Sequence, residues 1–518
     1  MTYRLWHTQR MNGKQPTPML SANDRSRWVT VRSLLERGSY EIEFYTTDPV
    51  MGPQWNTIDK VMHHGRDGRL HEYSSKPPLL ATLLAGPTWV IQQMTGWSFQ
   101  SDLFHLVQTT LWFCQILPLI LTLGYFAWLL HRMNLSAGTQ FFLVAAAAWG
   151  TYITTFATSL NNHHFAVLGV YWTLFALIQI GWLQSRAVGW YLVLGLSAAF
   201  TAANELPALS FFCLTMFVAA TIDIRKFLLV SLPAAAIVGF AAFGTTLVAH
   251  QSIRPPYAHR SDGAAVVKLP LEVEDELESN RFVSQSLRAS LNRHRQQLGW
   301  NFGPNSVAEL SRFPPHRNEA QRWVIRDYFQ LPWSNYQWHA IALVRPENAD
   351  YWEVRKWDNW YDYPGSYWHD GDRQGVDVGE PSRANYTVQC LVGHHGIFSL
   401  TPVWLLTVIG LCLGLVRDPR WKVLAGSTIL LSVVVIGFYL LRPQLDRNYG
   451  GQCSALRWVF WLSPLWILTM APAVSWLNRS HWGRWFCGTL LVLSAASALI
   501  PTYNPWVHPW LYQWWIAH

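Results

Sequence analysis

Residues 21–86 decide the fold, and they read SANDRSRWVTVRSLLERGSYEIEFYTTDPVMGPQWNTIDKVMHHGRDGRLHEYSSKPPLLATLLAG. This stretch contains no run apolar enough to cross a bilayer, whereas strongly apolar segments follow it along the chain. A charged stretch in that position must lie on a membrane surface, in front of a helical bundle. We therefore expect the chemistry of the protein in residues 21–86.

The composition is that of an integral membrane protein. Of the 518 residues, 50% are hydrophobic and only 14% are charged, which is too apolar for a single soluble domain. The net charge of +8 is spread over the connections, without the basic and aromatic clusters of nucleic-acid-binding proteins. We predict an all-α polytopic membrane protein with about 10–11 transmembrane helices, a lipid bilayer as its surroundings and no nucleic acid as partner.

Ten apolar segments predict the spans. They lie at about residues 104–130, 140–160, 163–184, 187–203, 205–222, 226–249, 396–416, 421–441, 454–477 and 485–501. Residues 77–94 are shorter and predict a helix lying in the interface. The predicted units are 1–103 with the first outer loop and its interfacial helices, 104–249 with six spans, 250–395 as a large outer loop domain, 396–501 with four spans, and the tail 502–518.

Positive charge is concentrated in alternate connections. One set of connections holds nine basic residues: Arg132, Arg186, Arg225, Lys226, Arg417, Arg420, Lys422, Arg479 and Arg484. The opposite short connections hold little besides Arg442 and Arg447. The positive-inside rule places the first set in the cytoplasm. The opening stretch and residues 161–164, 204–205, 250–395 and 442–457 are then all expected to face outward.

The opening stretch predicts an amphipathic helix. Trp28, Val31 and Leu34 recur at helical spacing, and Gly38 follows as a C-cap would. Asp24 then lies at the helix N-terminus, where backbone N–H groups and the helix dipole favour its ionised form. The position fits a bare N-cap as well as a functional carboxylate.

Lys76-Pro77-Pro78 predicts a second helix start. Two consecutive prolines can begin a helix but cannot continue one, so Lys76 is fixed at the mouth of that helix. A cation beside helix-end N–H groups forms an anion site suited to a phosphate.

An Asp followed three residues later by Arg, then a short helix ending in Gly, then Lys-Pro-Pro-Leu resembles the first extracytoplasmic loop of the C-type membrane glycosyltransferases. The likeness is to the lipid A aminoarabinose transferases and the protein O-mannosyltransferases. It implies the C-type fold and inverting transfer of a hexosyl or pentosyl group from a polyprenyl-phosphate donor. The acceptor would be a glycan, a lipid or a protein at the outer face of the cell membrane. The resemblance makes Asp24 the catalytic acidic residue, with Arg27 and Lys76 on the acceptor or lipid phosphate.

Two features depart from the family pattern. Arg25 stands where the family usually has a second acidic residue. The family also has a transmembrane helix before the Asp, whereas residues 1–20 are polar, so we expect a further helix upstream. Two alternatives stay open: a transporter or flippase of lipid-linked sugars, and a non-catalytic member of the fold that binds a lipid-linked glycan.

Further candidate substrate-binding residues lie in the other outward connections. They are Asn161, Asn162, His163, His164, Glu205, Arg442 and Arg447. The resemblance implies a functional polar residue near the 161–164 turn, whose alternative is a solvated loop. The alternative for Glu205 is a hairpin turn. Arg442, Arg447 and the nearby Arg457 could hold a lipid phosphate or serve as interfacial anchors. Adjacent histidines suggest a metal, but no further ligands are nearby, so we predict no metal site there.

The outer loop domain carries a Trp/Tyr-rich segment, which predicts sugar-stacking surfaces, a cover over the site or simply a folded core. Asp370, Asp372, Gly375, Asp377 and Glu380 come near a calcium-loop pattern but miss it in detail. We therefore predict no cofactor and leave a divalent cation open. Cys390 and Cys453 both face outward, which allows one disulfide without implying it.

Overall fold

The structure is a computed structural model, and it describes residues 2–7, 9–12, 15–279, 281–303, 306–313, 315, 318–330, 337–368 and 372–517. Within these residues the protein is mostly helical, and its large apolar core is built from the packed helices of the bundle. Five helices are long and apolar enough to cross a membrane, or six if one bent pair counts as a single span. The protein is therefore a polytopic membrane protein.

The membrane helices fall into three groups. The five long helices are Leu103–Arg132, Asn162–Trp182, Ile224–His250, Pro419–Leu440 and His481–Tyr503. The bent pair is Arg457–Thr469 and Ala471–Leu477, and the shorter apolar helices are Ala137–Ala148, Val188–Asn204, Leu206–Ile222 and Trp404–Leu415. The span predicted at 140–160 is helical only to Ala148, and turns with a short 3-10 helix, Phe156–Thr158, complete it.

The first loop is organised by helix Ala22–Arg37. Ser21 caps its N-terminus by accepting a hydrogen bond from the Asp24 amide, at 3.0 Å between heavy atoms. Gly38 ends the helix in the left-handed conformation, with φ of 66°, as the sequence predicted for a C-cap. The interpretation of Asp24 as an N-cap is wrong, because the cap position belongs to Ser21.

After that helix the chain forms an antiparallel hairpin from strands Lys60–His64 and Leu70–Ser74. Helix Pro78–Thr95 follows with Pro77 as its N-cap, which confirms the helix start predicted from the two prolines. The other short elements before the bundle are helices Thr2–His7, Glu43–Thr46 and Gly52–Trp55 and strands Arg10–Asn12 and Gln15–Thr17.

The loop domain corrects the expectation of an all-α chain. Five antiparallel strands form one sheet in the order Arg260–Pro270, Tyr351–Asn359, Gln337–Pro346, Glu319–Gln330, Val307–Arg312. Three helices follow the first of these strands in the chain and precede the other four: Val273–Ser279, Gln285–Arg293 and Arg295–Leu298. The sheet and these helices share a separate apolar core. The remaining helices in the described residues are Arg383–Leu391, Ile397–Leu400 and Trp510–Ala517, with short 3-10 helices at Pro256–Ala258, Gly375–Val378 and Gln444–Asp446.

The loop domain packs onto the first-loop hairpin. The Met62 amide donates to the Trp360 carbonyl at 2.8 Å, and the Trp368 indole donates to the Ile58 carbonyl at 2.7 Å. Tyr361 is buried against the hairpin, and Trp352 is buried in the sheet core. These members of the aromatic segment are packing residues, and the domain they stabilise covers the first loop.

Candidate functional site

The first loop contacts two connections of the bundle through buried polar side chains. Arg27 donates from Nη2 to the Asn162 side-chain oxygen at 2.7 Å, and its Nη1 contacts Asn23. Asn162 in turn donates to the Glu205 carboxylate at 2.6 Å, and the His163 ring also contacts that carboxylate. Asn162, at the start of a membrane helix, therefore links Arg27 of the first loop to Glu205 of another connection.

The hairpin supplies an acid–base pair to the same region. It pairs the Ser75 amide with the Asp59 carbonyl, which puts the side chain of Lys76 next to that of Asp59. The Lys76 ammonium lies 3.0 Å from the Asp59 carboxylate, and the lysine is only about one-fifth exposed. Because Pro77 begins a helix directly after Lys76, the lysine has a fixed position at the helix mouth.

Arg457 is a third cation at this place. It begins the bent helix pair, donates from Nε to the Gly450 carbonyl at 2.7 Å and lies over the Trp506 ring. Burial lowers the pKa of Lys76 and of Arg27, and the positive charge of Arg457 lowers both further, as expected for neighbouring like charges. We call Arg27, Asp59, Lys76, Asn162, His163, Glu205 and Arg457 the charged cluster.

The charged cluster leaves donors unused. The Nε of Arg27 and the Nη1 of Arg457 are buried and find no hydrogen-bond partner among the residues that the structure describes. Burial lowers the pKa of Arg27 to about 10, against the opposing effect of Asp59, so the guanidinium stays charged at neutral pH. Buried cationic N–H groups without partners are costly, and an anion that accepted them would remove that cost.

Asp24 lies beside the cluster and is fully buried. Its Oδ2 accepts a hydrogen bond from the Leu20 amide at 2.9 Å. Burial raises the pKa of Asp24 to about 7, although the Leu20 and Leu160 amides and the Arg27 guanidinium lower it. A carboxyl group with a pKa near neutrality can both accept and release a proton under ordinary conditions.

The other candidate residues have structural contacts. Asn161 caps helix Asn162–Leu177 by accepting from the His164 amide at 2.9 Å, and it donates to the Phe156 and Ser159 carbonyls. His164 faces the Gln115 carbonyl. Within the described part of the chain, no recorded hydrogen bond or ion pair links either residue to the charged cluster.

The two arginines of the 442–457 connection also lie apart from the cluster's contacts. Arg442 pairs with Asp446 at 2.8 Å and is part exposed. Arg447 is buried, and its backbone carbonyl accepts from the Glu380 amide. Among the arginines of this connection, Arg457 is the one whose positive charge contributes to the lowered pKa of Arg27 and of Lys76.

Sequence reasoning missed Asp59, and it grouped Arg457 with Arg442 and Arg447 without separating the three. The signal for Asp59 was the Asp67-Gly68 dipeptide, which is typical of a tight hairpin turn and would have paired residues 60–64 with 70–74. That register brings Asp59 opposite Ser75 and Lys76. Arg457 differs from its neighbours Arg442 and Arg447 by its place at the start of a helix, which residue type alone does not reveal.

The residues that the structure describes contain one group of side chains that could hold a metal ion. Glu41, Glu43 and His71 have potential ligand atoms within 4.8 Å of one another. The His71 ring contacts Glu43 at 2.5 Å, and this hydrogen bond raises the pKa of His71 to about 9. A ring protonated at neutral pH serves as an ion-pair partner and competes poorly as a metal ligand.

The calcium-loop pattern falls partly outside the described residues, because Asp370 is not among them. Asp377 in that pattern accepts from the Asn448 side chain at 2.9 Å and from the Tyr367 hydroxyl at 3.0 Å. Cys390 and Cys453 are both free thiols, so the disulfide that the sequence allowed is absent.

The charged cluster thus places three cations, two carboxylates and an adjoining carboxyl group of raised pKa at the junction of the first loop with three bundle connections. Comparisons of the chain with protein-family models and with curated proteins find no match.

Proposed function

We propose that the protein transfers a sugar from a polyprenyl-phosphate-linked donor to a glycan, lipid or protein acceptor at the outer face of the cell membrane. The observation that carries the proposal is the convergence of Arg27, Lys76 and Arg457 in one buried cluster, where two guanidinium N–H groups have no hydrogen-bond partner among the described residues. A phosphate is the anion that arginine and lysine donors suit best at a helix mouth. The likeness of residues 24–79 to the C-type glycosyltransferases supports the same assignment.

The reaction is a single displacement. An acceptor hydroxyl attacks the anomeric carbon, a new C–O bond forms there, and the bond from that carbon to the lipid phosphate oxygen breaks with its electron pair. The hydroxyl proton passes to a carboxylate, and the polyprenyl phosphate leaves as the anion. Attack from the face opposite the leaving group inverts the anomeric centre.

The residues act at the two ends of this displacement. Asp24, whose pKa burial raises to about 7, serves as the base or charge partner for the acceptor. Lys76 and Arg27, with Arg457, stabilise the negative charge that develops on the departing phosphate. Asn162, His163 and Glu205 hold Arg27 in place and offer polar contacts to the sugar.

Carriage of a lipid-linked sugar across the membrane is the second candidate. It is favoured by the bend of 42° between helices Arg457–Thr469 and Ala471–Leu477, because transporters bind substrates where helices are broken. In a carrier, the same cations would bind the phosphate without cleavage of the sugar–phosphate bond. A non-catalytic lipid-linked-glycan-binding protein would bind the donor and neither cleave nor move it.

The test uses purified protein in proteoliposomes with a panel of polyprenyl-phosphate hexoses and pentoses labelled in the sugar. One arm follows release of polyprenyl phosphate, and the other follows movement of intact donor between leaflets. Asp24→Asn is compared with wild type and with Asp102→Asn, a part-exposed carboxylate at the start of another helix.

A transferase releases polyprenyl phosphate from at least one donor when acceptor-containing membrane extract is present. Asp24→Asn should lower that rate by about 100-fold or more and leave donor binding intact, while Asp102→Asn should match wild type. Movement of intact donor without release would favour the carrier. Binding with neither release nor movement would favour the non-catalytic protein.

A further inference from the structure

A cavity of about 270 Å³ lies between the first loop and the loop domain. Its walls come from helix Ala22–Arg37, from both strands of the first-loop hairpin and from strand Gln337–Pro346 with the segment after Trp360. Arg25 and Leu70 are buried in its wall, whereas Asn56, Ile58 and Pro364 are exposed at its mouth. The cavity is therefore open to solvent at one end and closed at the other.

The charged residues in the wall are paired, with one exception. Lys60 contacts Glu72 at 2.7 Å, and Glu43 contacts the His71 ring at 2.5 Å. Arg25 is 8% exposed, and its Nε and Nη1 are buried without a hydrogen-bond partner anywhere in the described ranges. A buried guanidinium with N–H groups that lack partners favours an anionic ligand, such as a carboxylate or a phosphate.

The rest of the wall suits a sugar ring. Trp338, Tyr363 and Tyr367 supply aromatic surface, while Asn56 and Thr57 supply amide and hydroxyl groups. Lys60, Glu43 and Glu72 are held in ion pairs yet keep lone pairs or protons for hydroxyl groups. Pockets that combine aromatic walls with a few fixed polar groups are typical ligand sites, and this cavity is slightly smaller than their usual range of about 300–1,000 Å³.

The cavity also adjoins the charged cluster. Asp24 and Arg25 are consecutive in one helix, and Asp59 and Lys60 are consecutive at the start of the hairpin. Of these, Arg25 and Lys60 line the cavity, while Asp59 pairs with Lys76. Consecutive residues of a helix or a strand point in different directions, so Asp24 and Asp59 lie behind the cavity wall, where their charges oppose the lowering of the Arg25 pKa by burial.

We infer that this cavity binds the acceptor, and that the acceptor unit is an acidic sugar whose carboxylate or phosphate is held by Arg25. The assignment rests on the proposed transferase function, because it deepens that function by naming the acceptor class. A carboxylate and a phosphate share the chemistry that Arg25 recognises, and the probes below separate the two.

The experiment is a titration of the full-length protein in nanodiscs with four probes: glucuronate, glucose 1-phosphate, inorganic phosphate and uncharged glucose. At least one of the acidic sugars should bind about tenfold or more tightly than glucose and than inorganic phosphate. Arg25→Gln should remove this preference, and Arg25→Lys should restore only part of it, because an ammonium keeps the positive charge without the shape and donor arrangement of the guanidinium. Arg37→Gln, at the exposed end of the same helix, is the matched control and should bind as wild type does.

A second variant keeps the inference testable if Arg25→Gln does not fold. Ile58 is exposed at the cavity mouth, so Ile58→Trp fills the entrance without disturbing buried contacts. It should block the acidic sugar as well. Equal affinity for glucose and the acidic sugars, inorganic phosphate binding as well as either sugar, or unchanged binding in Ile58→Trp would each overturn the inference.

Binding of polyprenyl phosphate separates this inference from the proposed function. Arg25→Gln should leave that binding unchanged, since the lipid phosphate is assigned to Arg27, Lys76 and Arg457. If the acidic sugars fail to bind while the lipid phosphate binds, the acceptor assignment alone is wrong. If both fail, the proposed function is wrong as well.

Discussion

Asp24 is a fully buried carboxyl group held by the Leu20 amide, and this environment sets how its charge depends on pH. Burial raises its pKa from the ordinary value of 3.8 to about 7. The folded protein therefore keeps the Asp24 proton up to about pH 7, whereas the unfolded chain releases it near pH 4. The stability that this group contributes is complete below about pH 4 and is lost as the pH rises to about 7.

Asp24→Asn should consequently stabilise the protein at high pH while removing activity. An uncharged amide carries no penalty for ionising in the buried site, so the free energy of unfolding at pH 8 should rise by up to about 4 kcal/mol. At pH 4 the gain should vanish. Denaturant unfolding in micelles at both pH values measures the difference, with Asp102→Asn as a control that should show no such pH dependence. A variant destabilised equally at both pH values would contradict the assigned environment of Asp24.

Asp59 forms an ion pair with Lys76, one of the cations assigned to the donor phosphate. Its carboxylate lies 3.0 Å from the lysine ammonium. Burial lowers the pKa of Arg27 and of Arg25, and the negative charge of Asp59 opposes that lowering. A ligand phosphate would compete with it for the same cations. Asp59 therefore reduces the net positive charge of the cluster.

Asp59→Asn should tighten binding of polyprenyl phosphate by about tenfold, because Lys76 and Arg27 lose their competing carboxylate. Titration of the lipid phosphate into nanodiscs measures the effect. Asp446→Asn is the matched control, since it frees Arg442 from a similar ion pair away from the cluster's contacts and should leave the affinity unchanged. Weaker binding in Asp59→Asn would mean that the carboxylate orients Lys76 for the ligand, and the competition would be ruled out.

At the scale of elements, the sequence predicted helices whose ends carry local signals such as a C-cap glycine or consecutive prolines. Helical spacing and Gly38 indicated helix Ala22–Arg37, and the two prolines indicated the start of helix Pro78–Thr95. The sheet was not predicted because its strands do not alternate cleanly between apolar and polar residues. Arg322 and Arg326 are buried in ion pairs with Asp262 and Asp362 on the face opposite Trp323 and Ile325, so this strand is buried on both faces.

The candidate site was also predictable in part, because several of its residues lie in local patterns that the sequence shows. Asp24, Arg27 and Lys76 lie in one stretch with recognisable spacing, and the 161–164 turn and Glu205 were chosen as polar residues at span ends. The roles within that turn could not be separated from sequence, since Asn161 and Asn162 are neighbours of one type. Only tertiary packing turns Asn162 towards Arg27 and leaves Asn161 as a helix cap.

The contact between the loop domain and the hairpin depends on Trp360. Its ring stacks on His259 with 3.5 Å between ring centroids and lies 4.2 Å from the His63 ring, while its backbone carbonyl accepts from Met62. His63 in turn contacts His250 at the end of a membrane span, at 3.0 Å between ring nitrogens. Trp360 thus connects the loop domain, the hairpin and the bundle.

Trp360→Ala should loosen the loop domain from the hairpin, because it removes a large ring packed among these histidines. Amide exchange in strands Lys60–His64 and Leu70–Ser74 should become about 10- to 100-fold faster, while strand Glu319–Gln330 in the sheet core keeps its protection. Tyr351→Ala, at the other end of the strand that precedes Trp360, is the control and should leave the hairpin protected. Unchanged exchange in the hairpin of Trp360→Ala would show that other contacts hold the domain.

At the scale of the whole molecule, the structure joins segments that are far apart in the chain. The first loop, the 161–164 turn, the connection at Glu205, the loop domain and the 442–457 connection are linked by hydrogen bonds or ion pairs. These are the connections that the charge bias placed together on one side of the membrane. A lipid donor entering from the bilayer and an acceptor entering through the loop domain could meet at this junction.

The central claim is that the buried cations stabilise a departing lipid phosphate, and the rate of sugar transfer from a polyprenyl-phosphate donor tests it most directly. Lys76→Ala and Arg457→Ala should each lower that rate by about 100-fold or more, since each removes a preorganised cation from a dry site. Lys76→Arg should retain part of the activity. Lys226→Ala and Arg484→Ala, which remove cations predicted to lie on the opposite side, should stay within about twofold of wild type. Transfer by Lys76→Ala at the wild-type rate would contradict the account.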